Sequence, residues 1–192
     1  MTQLFIDNIE KYFNLSEAEK ETILGLTQIK KLRKKEFLLQ EGEVSKCSAF
    51  VLSGCLRSYF VDSNGFEHIL QFAIEDWWIT DMMSITTQTA ANLNIDAIQD
   101  SELLILTREN QLELFEKCPK MEKYFRIITE KGMANIQTRL LENMSLPAVQ
   151  RYKNLTKKYP KIVEKVPQKL IASFLGITPE FLSKLRHQLA YE

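Results

Sequence analysis

The sequence predicts an α+β protein in which a β-rich part lies between helical segments. Short apolar runs separated by turn residues extend from about residue 29 to residue 106, a pattern typical of a sandwich or barrel. An apolar stripe at helical spacing follows over about 20 residues, and two short helices joined by a glycine turn are predicted near the end. These observations divide the chain into residues 1–118, 119–145 and 146–192.

The composition, 45% hydrophobic and 26% charged, is that of an ordinary globular protein. At 192 residues the chain is long enough to bury a core without disulfides or metals. No apolar run approaches the ~20 residues of a membrane span, and the first residues lack the basic and apolar regions of a secretion signal. We therefore expect a cytoplasmic protein without a membrane partner.

Cysteine and histidine are too sparse to predict a metal site or an enzyme. Cys47, Cys55 and Cys118 are odd in number, which argues against a disulfide framework, and their spacing to His68 and His187 resembles no zinc site. A cupin-like enzyme would need a histidine-rich metal site, and no nucleophile–base–acid constellation stands out. We expect no catalytic residues and no metal.

Charge is balanced over the whole chain but not along it. Residues 146–192 contain nine basic and three acidic residues, whereas the rest contains 16 basic and 22 acidic residues. The C-terminal part thus carries six excess positive charges. This asymmetry is typical of a protein with an anionic partner such as nucleic acid, and a solvated lysine-rich surface is the alternative.

Helices are predicted before the strands. Apolar residues recur at helical spacing from residue 2, and a Ser16–Glu19 capping box opens a second helix that ends near Gly25. Asn64-Gly65 predicts a hairpin with a type I′ turn, because both residues tolerate positive φ. The predicted strands are 29–32, 36–40, 48–52, 56–62, 67–72, 95–98 and 103–107.

A long helix is predicted over 119–145, after a shorter one over 108–116. Pro119 suits its first turn, and Gly132, which costs about 1 kcal/mol relative to Ala, suggests a place where another helix approaches. The apolar stripe either covers the β-rich part or pairs with a second copy of the chain, and we favour pairing. The predicted dimer-helix residues are Phe125, Ile128, Gly132, Ile136 and Leu140.

Residues 168–189 predict two helices joined by a tight turn. Gly176 allows the left-handed conformation of the turn, Thr178 is a good N-cap, and Pro179 suits the first position of the second helix. Ala172 lies where only a small residue lets the helices cross. The predicted inward residues are Ile171, Leu175, Ile177, Leu182 and Leu185, and a generic helical hairpin is the alternative.

This pattern is typical of a helix-turn-helix, whose second helix enters the DNA major groove, about 12 Å wide. The outward stripe of that helix is polar. The predicted base-reading residues are Glu180, Ser183, Lys184 and His187. The predicted phosphate contacts, which fix position without reading sequence, are Gln168, Lys169, Thr178 and Arg186.

With these elements in place, the chain resembles the Crp/Fnr family of bacterial transcription regulators over nearly all its length. The motifs that carry the resemblance are LQEGE (39–43), FVLSG (50–54), Asn64-Gly65 and QKLIASFLGITPEFLSKLR (168–186). EDWW (75–78) and DSELL (100–104) are closest to a branch common in Bacteroidetes-type bacteria.

The resemblance implies three functional parts. They are a jelly roll similar to cyclic-nucleotide-binding domains, a dimerisation helix and a C-terminal DNA-binding domain. The implied function is that of a homodimeric transcription regulator. Its partners would be near-palindromic double-stranded DNA, a second copy of the chain and RNA polymerase.

The sequence departs from the family where cyclic AMP is bound. Family members that bind it present a Gly-Glu pair to the ribose and then an Arg-Ser pair to the phosphate, and the aligned positions here are Thr80-Asp81 and Ala91-Asn92. No Lys or Arg occurs between Arg57 and Arg108, and burying a phosphate without a cation is costly. We therefore do not expect cyclic AMP to bind in the usual manner.

The sequence has few residues that could bind the iron–sulfur cluster or haem of other family members. Iron–sulfur members use clustered N-terminal cysteines, whereas the first cysteine here is Cys47. Haem would have His68 as a candidate ligand, and a lone histidine in a strand is typically structural. The effector stays unknown: a set of apolar residues, Trp77, Trp78, Met82 and Met83, either lines an apolar pocket or fills it. The possible effector-pocket residues come from this region and from the positions aligned with the cyclic AMP contacts. They are Trp77, Trp78, Thr80, Asp81, Met82, Ala91 and Asn92.

Two expectations concern the C-terminal part. Glu192 follows soon after Leu189, so we expect no wing hairpin after the second helix, and DNA affinity would then depend more on the dimer and on the basic segment 151–169. The rival function is a ligand sensor whose C-terminal helices contact protein instead of DNA. A shallow salt dependence of nucleic-acid binding would favour that alternative.

Overall fold

The computed structural model describes residues 2–189. The expectation that no wing hairpin follows the second helix of the helix-turn-helix concerns residues 190–192, which lie outside the described residues, as does Met1. Helices α1 (Gln3–Glu10) and α2 (Glu17–Gly25) begin the chain. The capping box is confirmed, because the Ser16 hydroxyl accepts from the Glu19 amide and the Glu19 carboxylate accepts from the Ser16 amide.

Two four-stranded antiparallel sheets pack as a sandwich, which we call the sandwich throughout (residues 28–107). One sheet has the order β1-β8-β3-β6 and the other β2-β7-β4-β5. The predicted strands are confirmed, and β6 and helix α3 (Met82–Thr87) are short elements that the apolar runs did not indicate. The strands are β1 (Gln28–Leu32), β2 (Phe37–Leu39), β3 (Cys47–Ser53), β4 (Cys55–Val61), β5 (Glu67–Ile74), β6 (Trp78–Ile79), β7 (Asn94–Ala97) and β8 (Ser101–Thr107).

The hairpin predicted at Asn64-Gly65 joins β4 to β5, but its turn is not type I′. Only Gly65 of the pair has positive φ, at 80°. The Gly65 amide donates to the Asp62 carbonyl, and the Asp62 amide donates to the Phe66 carbonyl. This is a type I turn followed by a left-handed glycine. The Asp62 carboxylate accepts from the Asn64 and Phe66 amides, which stabilises this loop instead of the two-residue turn.

Two helices follow the strands. Helix α4 (Arg108–Lys117) leads into the 27-residue helix α5 (Pro119–Ser145), so the predicted long helix and its proline start are confirmed. The first turns of α5 pack with α1, α2 and α4 on the sheet that contains β3 and β8. This core cluster includes Phe5, Ile9, Phe50, Leu104, Leu114, Met121 and Tyr124.

The C-terminal helices follow α5 and are called the head here (residues 146–189). It contains α6 (Ala148–Lys158), α7 (Pro160–Lys165), α8 (Gln168–Phe174) and α9 (Pro179–Leu189). Its core is continuous with apolar residues of β4 and β5, among them Tyr59, Ile69, Phe72 and Ile74. The head therefore packs on the sandwich.

Candidate nucleic-acid interface

The turn between α8 and α9 has the geometry that the sequence predicts. Gly176 has a φ of 66°, its amide donates to the Ser173 carbonyl, and the Ile177 amide donates to the Ala172 carbonyl. These two bonds form a Schellman motif, which satisfies the last carbonyls of α8. A side chain at Gly176 would be strained, so the glycine fixes the direction in which α9 leaves the turn.

The start of α9 is also capped as predicted. The Thr178 hydroxyl accepts from the Phe181 amide at 3.2 Å, Pro179 occupies the first helical position, and Glu180 lies in the first turn. The Thr178 hydroxyl thus satisfies one of the free amides at the start of α9, and the negative charge of Glu180 is favourable at the positive end of the helix dipole.

Buried residues hold the two helices together. Leu182 and Leu185 of α9 are buried with Ile171 and Leu175. Ala172 is fully buried, as expected for the residue at a close helix crossing. Ile177 is half-buried and packs against the same cluster. The apolar half of α9 is therefore occupied, and its polar half faces outward.

The predicted base-reading residues Glu180, Ser183, Lys184 and His187 all lie on the exposed side of α9. The structure thus brings them onto one face, beside the half-exposed ring of Phe181. Of the predicted phosphate contacts, Lys169, Thr178 and Arg186 are exposed. Gln168 is half-buried, and its Oε1 is buried without a hydrogen-bond partner among residues 2–189.

Some positively charged side chains of the head form hydrogen bonds or ion pairs within the protein. Arg151 donates to the carbonyls of Asn143, Leu146 and Leu175, and Lys165 forms an ion pair with Glu75. Other cations are exposed: Lys157, Lys161, Lys169 and Lys184. With Arg186, these lysines are exposed positive charges of the head that can meet an external anion.

The predicted dimer stripe on α5 divides into two parts. Phe125 and Ile128 are partly buried against the core cluster, whereas Ile136 and Leu140 are exposed. Gly132 lies between these parts, and a Cβ added there would meet no described heavy atom within 4 Å. The exposed apolar residues of this second part are Met133, Ile136, Leu140, Leu141 and Met144.

The residues predicted to line an effector pocket are divided between core clusters, with Trp77 packed on the cluster that contains Ala91 and Trp78 on another. Trp78 packs edge-on against Phe50 and donates its indole N–H to the Tyr124 hydroxyl at 3.0 Å. Its neighbour Trp77 packs against Tyr159 of the head, with ring centroids 5.1 Å apart. The two tryptophans therefore belong to different clusters.

Several positions aligned with the cyclic AMP contacts form hydrogen bonds with neighbouring backbone groups. Asp81 is buried and caps α3 by accepting from the Ser84 amide at 2.9 Å, and the Thr80 hydroxyl donates to the Cys47 carbonyl. The backbone of Ala91 pairs with Gly42 and Glu43. Met82 and Asn92 are exposed.

An open cavity of about 340 Å³ lies elsewhere in the sandwich, between β2, the start of β3 and β7. Strand alternation could not have shown it, because its lining comes from segments far apart in sequence. The residues that line it are Leu38, Leu39, Glu43, Val44, Ser45, Lys46, Cys47 and Ile95, none of which is in the predicted pocket.

Arg57 on β4 is a charged residue whose partners sequence reasoning missed. It donates to both carboxylate oxygens of Asp96, at 2.7 and 2.9 Å, and to Glu67, and it lies 4.0 Å from the centre of the Tyr59 ring. Burial acts against its charge, but the bonds to Asp96 and Glu67 outweigh burial and raise its pKa. With two carboxylates bound, Arg57 is not a cation available to a phosphate.

The cysteines have the character of core residues. Burial raises the pKa of Cys55 to about 12 and also raises the pKa of Cys47 and Cys118. Their thiols therefore stay protonated near neutral pH, which is the unreactive form. Across residues 2–189, no group of three or more His, Cys, Asp or Glu side chains is placed to hold a metal ion.

Comparison with known proteins adds the family context. Residues 29–118 match the sequence model of the cyclic nucleotide-binding domain. FixK2 from Bradyrhizobium japonicum is similar in structure, with a TM-score of 0.73 and 18% identity over 86% of this chain and 85% of that chain. Residues 29–118 are thus similar to cyclic nucleotide-binding domains, and the chain has the fold of the Crp/Fnr regulators. A search of curated proteins found no significant match.

Two further structures share the Crp/Fnr fold. CLP from Xanthomonas campestris, described as a c-di-GMP responsive global regulator, has a TM-score of 0.74 and 13% identity and covers 92% of each chain. A protein from Eubacterium rectale, described as a transcriptional regulator of the Crp/Fnr family, has a TM-score of 0.68 and 18% identity over 94% of this chain and 88% of that chain. Within residues 2–189, no helix combines the length and apolarity that crossing a membrane requires.

Proposed function

We propose that the chain is a sequence-specific DNA-binding transcription regulator of the Crp/Fnr type that acts as a homodimer in the cytoplasm. The observation that carries this proposal is the geometry of α8, the Gly176 turn and α9. Leu182 and Leu185 are buried against α8, so α9 exposes a polar face along its length. That is how a recognition helix is presented to a major groove.

The chemistry of the exposed face suits base reading. Lys184 can donate to the guanine acceptors O6 and N7, and Glu180 can accept from the cytosine amino group. Thr178, Lys169 and Arg186 are exposed nearby in the chain and can contact phosphates. The exposed lysines of α6 and α7 would add attraction that does not depend on sequence.

The exposed part of α5 supports a dimer. Large apolar residues such as Ile136 and Leu140 seldom form contiguous exposed patches on a monomer, and a second copy of α5 would bury them. A two-fold dimer would place two α9 helices about 34 Å apart, in successive major grooves of a near-palindromic site. RNA polymerase is a further partner by family resemblance.

The proposal does not include cyclic AMP binding in the usual manner. The aligned positions supply no positive side chain, and the acidic side chain of Asp81 is engaged as the cap of α3. A phosphate buried there would face a carboxylate without a compensating cation. The effector, if it enters the sandwich, is expected to be held by other contacts.

The first test is selection of binding sequences from random duplex DNA with the purified chain, at two salt concentrations, with and without cyclic AMP. We expect a two-fold symmetric site, a steep fall of affinity with salt and no effect of cyclic AMP. A clear cyclic AMP dependence would contradict the interpretation of Thr80-Asp81 and Ala91-Asn92. Failure to select any site would favour the alternative in which the head contacts protein.

A single substitution tests base reading. Lys184→Ala should relax specificity at one base pair of each half-site, at a cost of about 1–3 kcal/mol. The measurement is affinity for the selected duplex and for duplexes changed at each position. Lys34→Ala, an exposed lysine between β1 and β2, is the matched control and should leave affinity unchanged. Equal losses on all duplexes would mean that Lys184 contacts only phosphate.

A further inference from the structure

The contact between the head and the sandwich lies at an open sheet edge. In the order β2-β7-β4-β5, strand β5 has a neighbour on one side only. Backbone N–H and C=O groups on its other side therefore have no strand partner. Native proteins usually cover such an edge, because it can pair with another chain.

The hydroxyl of Ser173 on α8 satisfies two of these edge groups. It donates to the Glu67 carbonyl at 2.6 Å and accepts from the Ile69 amide at 3.2 Å. Groups of residues i and i+2 point to the same side of a strand. One hydroxyl thus makes the two bonds that a neighbouring strand would make.

A third edge group is satisfied from α5. The register of β5 against β4 skips Leu70, and Arg139 donates to the carbonyl of this bulged residue. The same guanidinium lies 4.5 Å from the ring centre of Phe174. Arg139 therefore contacts β5 and α8 at once.

Side-chain packing reinforces these bonds. Phe174 lies against Phe72, with ring centroids 5.2 Å apart. Directly after β5, the ion pair between Lys165 of α7 and Glu75 joins the head to the sandwich. By contrast, the covalent connection from α5 to α6 passes through the extended residues Leu146 and Pro147, which alone would not fix the orientation of the head.

We propose that Ser173 is a positioning residue for DNA recognition: its hydroxyl caps the β5 edge and so fixes the head in one orientation on the sandwich. This inference rests on the proposed function for its consequence in DNA binding. The contact leaves Glu180, Ser183 and Lys184 exposed, so it orients the recognition face and does not block it. Two fixed heads fit a symmetric site with less loss of freedom than two loosely held ones.

The variants that test this proposal change one hydroxyl at a time. Ser173→Ala removes the edge cap, and Ser173→Thr restores a hydroxyl at the same place. Thr156→Ala is the matched control, because the Thr156 hydroxyl lies in the head and, among residues 2–189, bonds to the Lys153 carbonyl of its own helix and not to the sandwich. All are made in the full chain.

The first readout is hydrogen exchange of the Ile69 amide, followed by NMR without DNA. Ser173→Ala should accelerate this exchange about tenfold, in line with the loss of a hydrogen bond. Ser173→Thr and Thr156→Ala should exchange like the wild type. Unchanged exchange in Ser173→Ala would overturn the proposal.

The second readout compares the selected symmetric duplex with a duplex that holds one half-site. Ser173→Ala should bind the symmetric duplex about tenfold more weakly and the half-site less than twofold more weakly, because only the symmetric site needs two oriented heads. Equal losses on both duplexes, or tighter binding of the symmetric one, would overturn the positioning role. A wild type that binds neither duplex overturns the proposed function, and the Ile69 exchange still decides whether Ser173 holds the head.

Discussion

The two halves of α5 have similar apolar patterns but different surroundings. In the first half, Met121 and Tyr124 are fully buried within the chain. In the second half, Ile136 is 68% exposed, Leu140 58% and Met144 79%. An apolar stripe thus predicts that a helix face will be covered, but not whether the cover comes from the same chain or from another.

Polar contacts mark the same division. In the first half, the Tyr124 hydroxyl donates to Asn8 and accepts from Trp78, and Lys120 pairs with Glu19 of α2. In the second half, Arg139 donates to the Leu70 carbonyl of β5 and Glu142 accepts from Asn154 of the head, while the large apolar residues of the stripe are mostly exposed. If a second copy covers this half, substitutions in the two halves should act on different equilibria.

The largest effect is expected from Leu140→Glu in the exposed half. A two-fold interface contains each leucine twice, and burial of one is worth about 1.5–3 kcal/mol. The substitution should therefore weaken dimerisation at least about 100-fold, as measured by sedimentation equilibrium. The unfolding of the monomer should hardly change.

Thr138→Glu is the control for Leu140→Glu. Thr138 is exposed and lies on the other side of α5, where its hydroxyl bonds to the Ala134 carbonyl of the same helix. It should leave the dimer intact. A Leu140→Glu chain that dimerises like the wild type would place the interface elsewhere.

The next largest effect is expected from Tyr124→Phe in the packed half. The change leaves the Trp78 indole N–H and the Asn8 side chain without their shared partner, at a cost of about 1–3 kcal/mol. For a chain of this length, each kcal/mol lowers Tm by about 2–4 °C, which thermal unfolding detects. Dimerisation should stay unchanged.

Tyr12→Phe is the matched change for Tyr124→Phe, because within residues 2–189 the Tyr12 hydroxyl accepts a hydrogen bond from the exposed side chain of Lys131. It should cost little stability. If both variants lose the same stability, the buried network around Tyr124 has no special role.

A smaller effect with an informative sign is expected from Gly132→Ala. Within the described chain the added methyl meets no atom within 4 Å, and Ala is favoured over Gly in a helix by about 0.5–1 kcal/mol. The monomer should therefore gain stability in urea unfolding. If α5 of a second copy approaches closely at Gly132, the same change should weaken the dimer, and a strengthened dimer would show that no close approach occurs there.

The smallest effect is expected from Glu19, which ties α2 to the packed half. Hydrogen bonds from Lys120 and the Ser16 amide lower its pKa from 4.5 to about 2. A lowered carboxyl pKa adds stability above pH 4.5, and this stability is lost as the pH falls from 4.5 toward 2. Urea midpoints at pH 5 and pH 3 should therefore differ less in Glu19→Gln than in the wild type.

Glutamine also completes a capping box, so Glu19→Gln isolates the charge from the cap. Because Glu19 lies at the surface and is only partly buried, the difference should be small and should shrink with added salt. Glu21→Gln, an exposed neighbour on α2, should keep the wild-type pH dependence.

The head was predictable because its signals are local. Gly176, Thr178 and Pro179 each have a conformational role that depends on residues within one helical turn. The same holds for the capping box at Ser16. The prediction of a type I′ turn was wrong for a reason that the Asn-Gly pair alone does not show. The Asp62 carboxylate accepts hydrogen bonds from the loop amides and so stabilises another turn geometry.

The surroundings of the two predicted effector tryptophans could not be predicted, because they depend on tertiary packing. Trp77 and Trp78 are adjacent in sequence but face different clusters, one beside Tyr159 and the other beside Phe50. No pattern in residues 75–92 shows that Tyr159 is near. The Ser173 contact with β5 likewise joins residues more than 100 positions apart.

The covered edge of β5 has a consequence for biosynthesis. The ribosome completes the sandwich before it makes α8, so the nascent protein shows a bare strand edge and the apolar residues Tyr59, Ile69 and Phe72. A translation product that stops at residue 145 would leave the β5 edge and these apolar residues permanently exposed. We expect it to aggregate through β5. In the full-length protein, α8 thus protects the β5 edge from pairing with another chain, in addition to its role in the head.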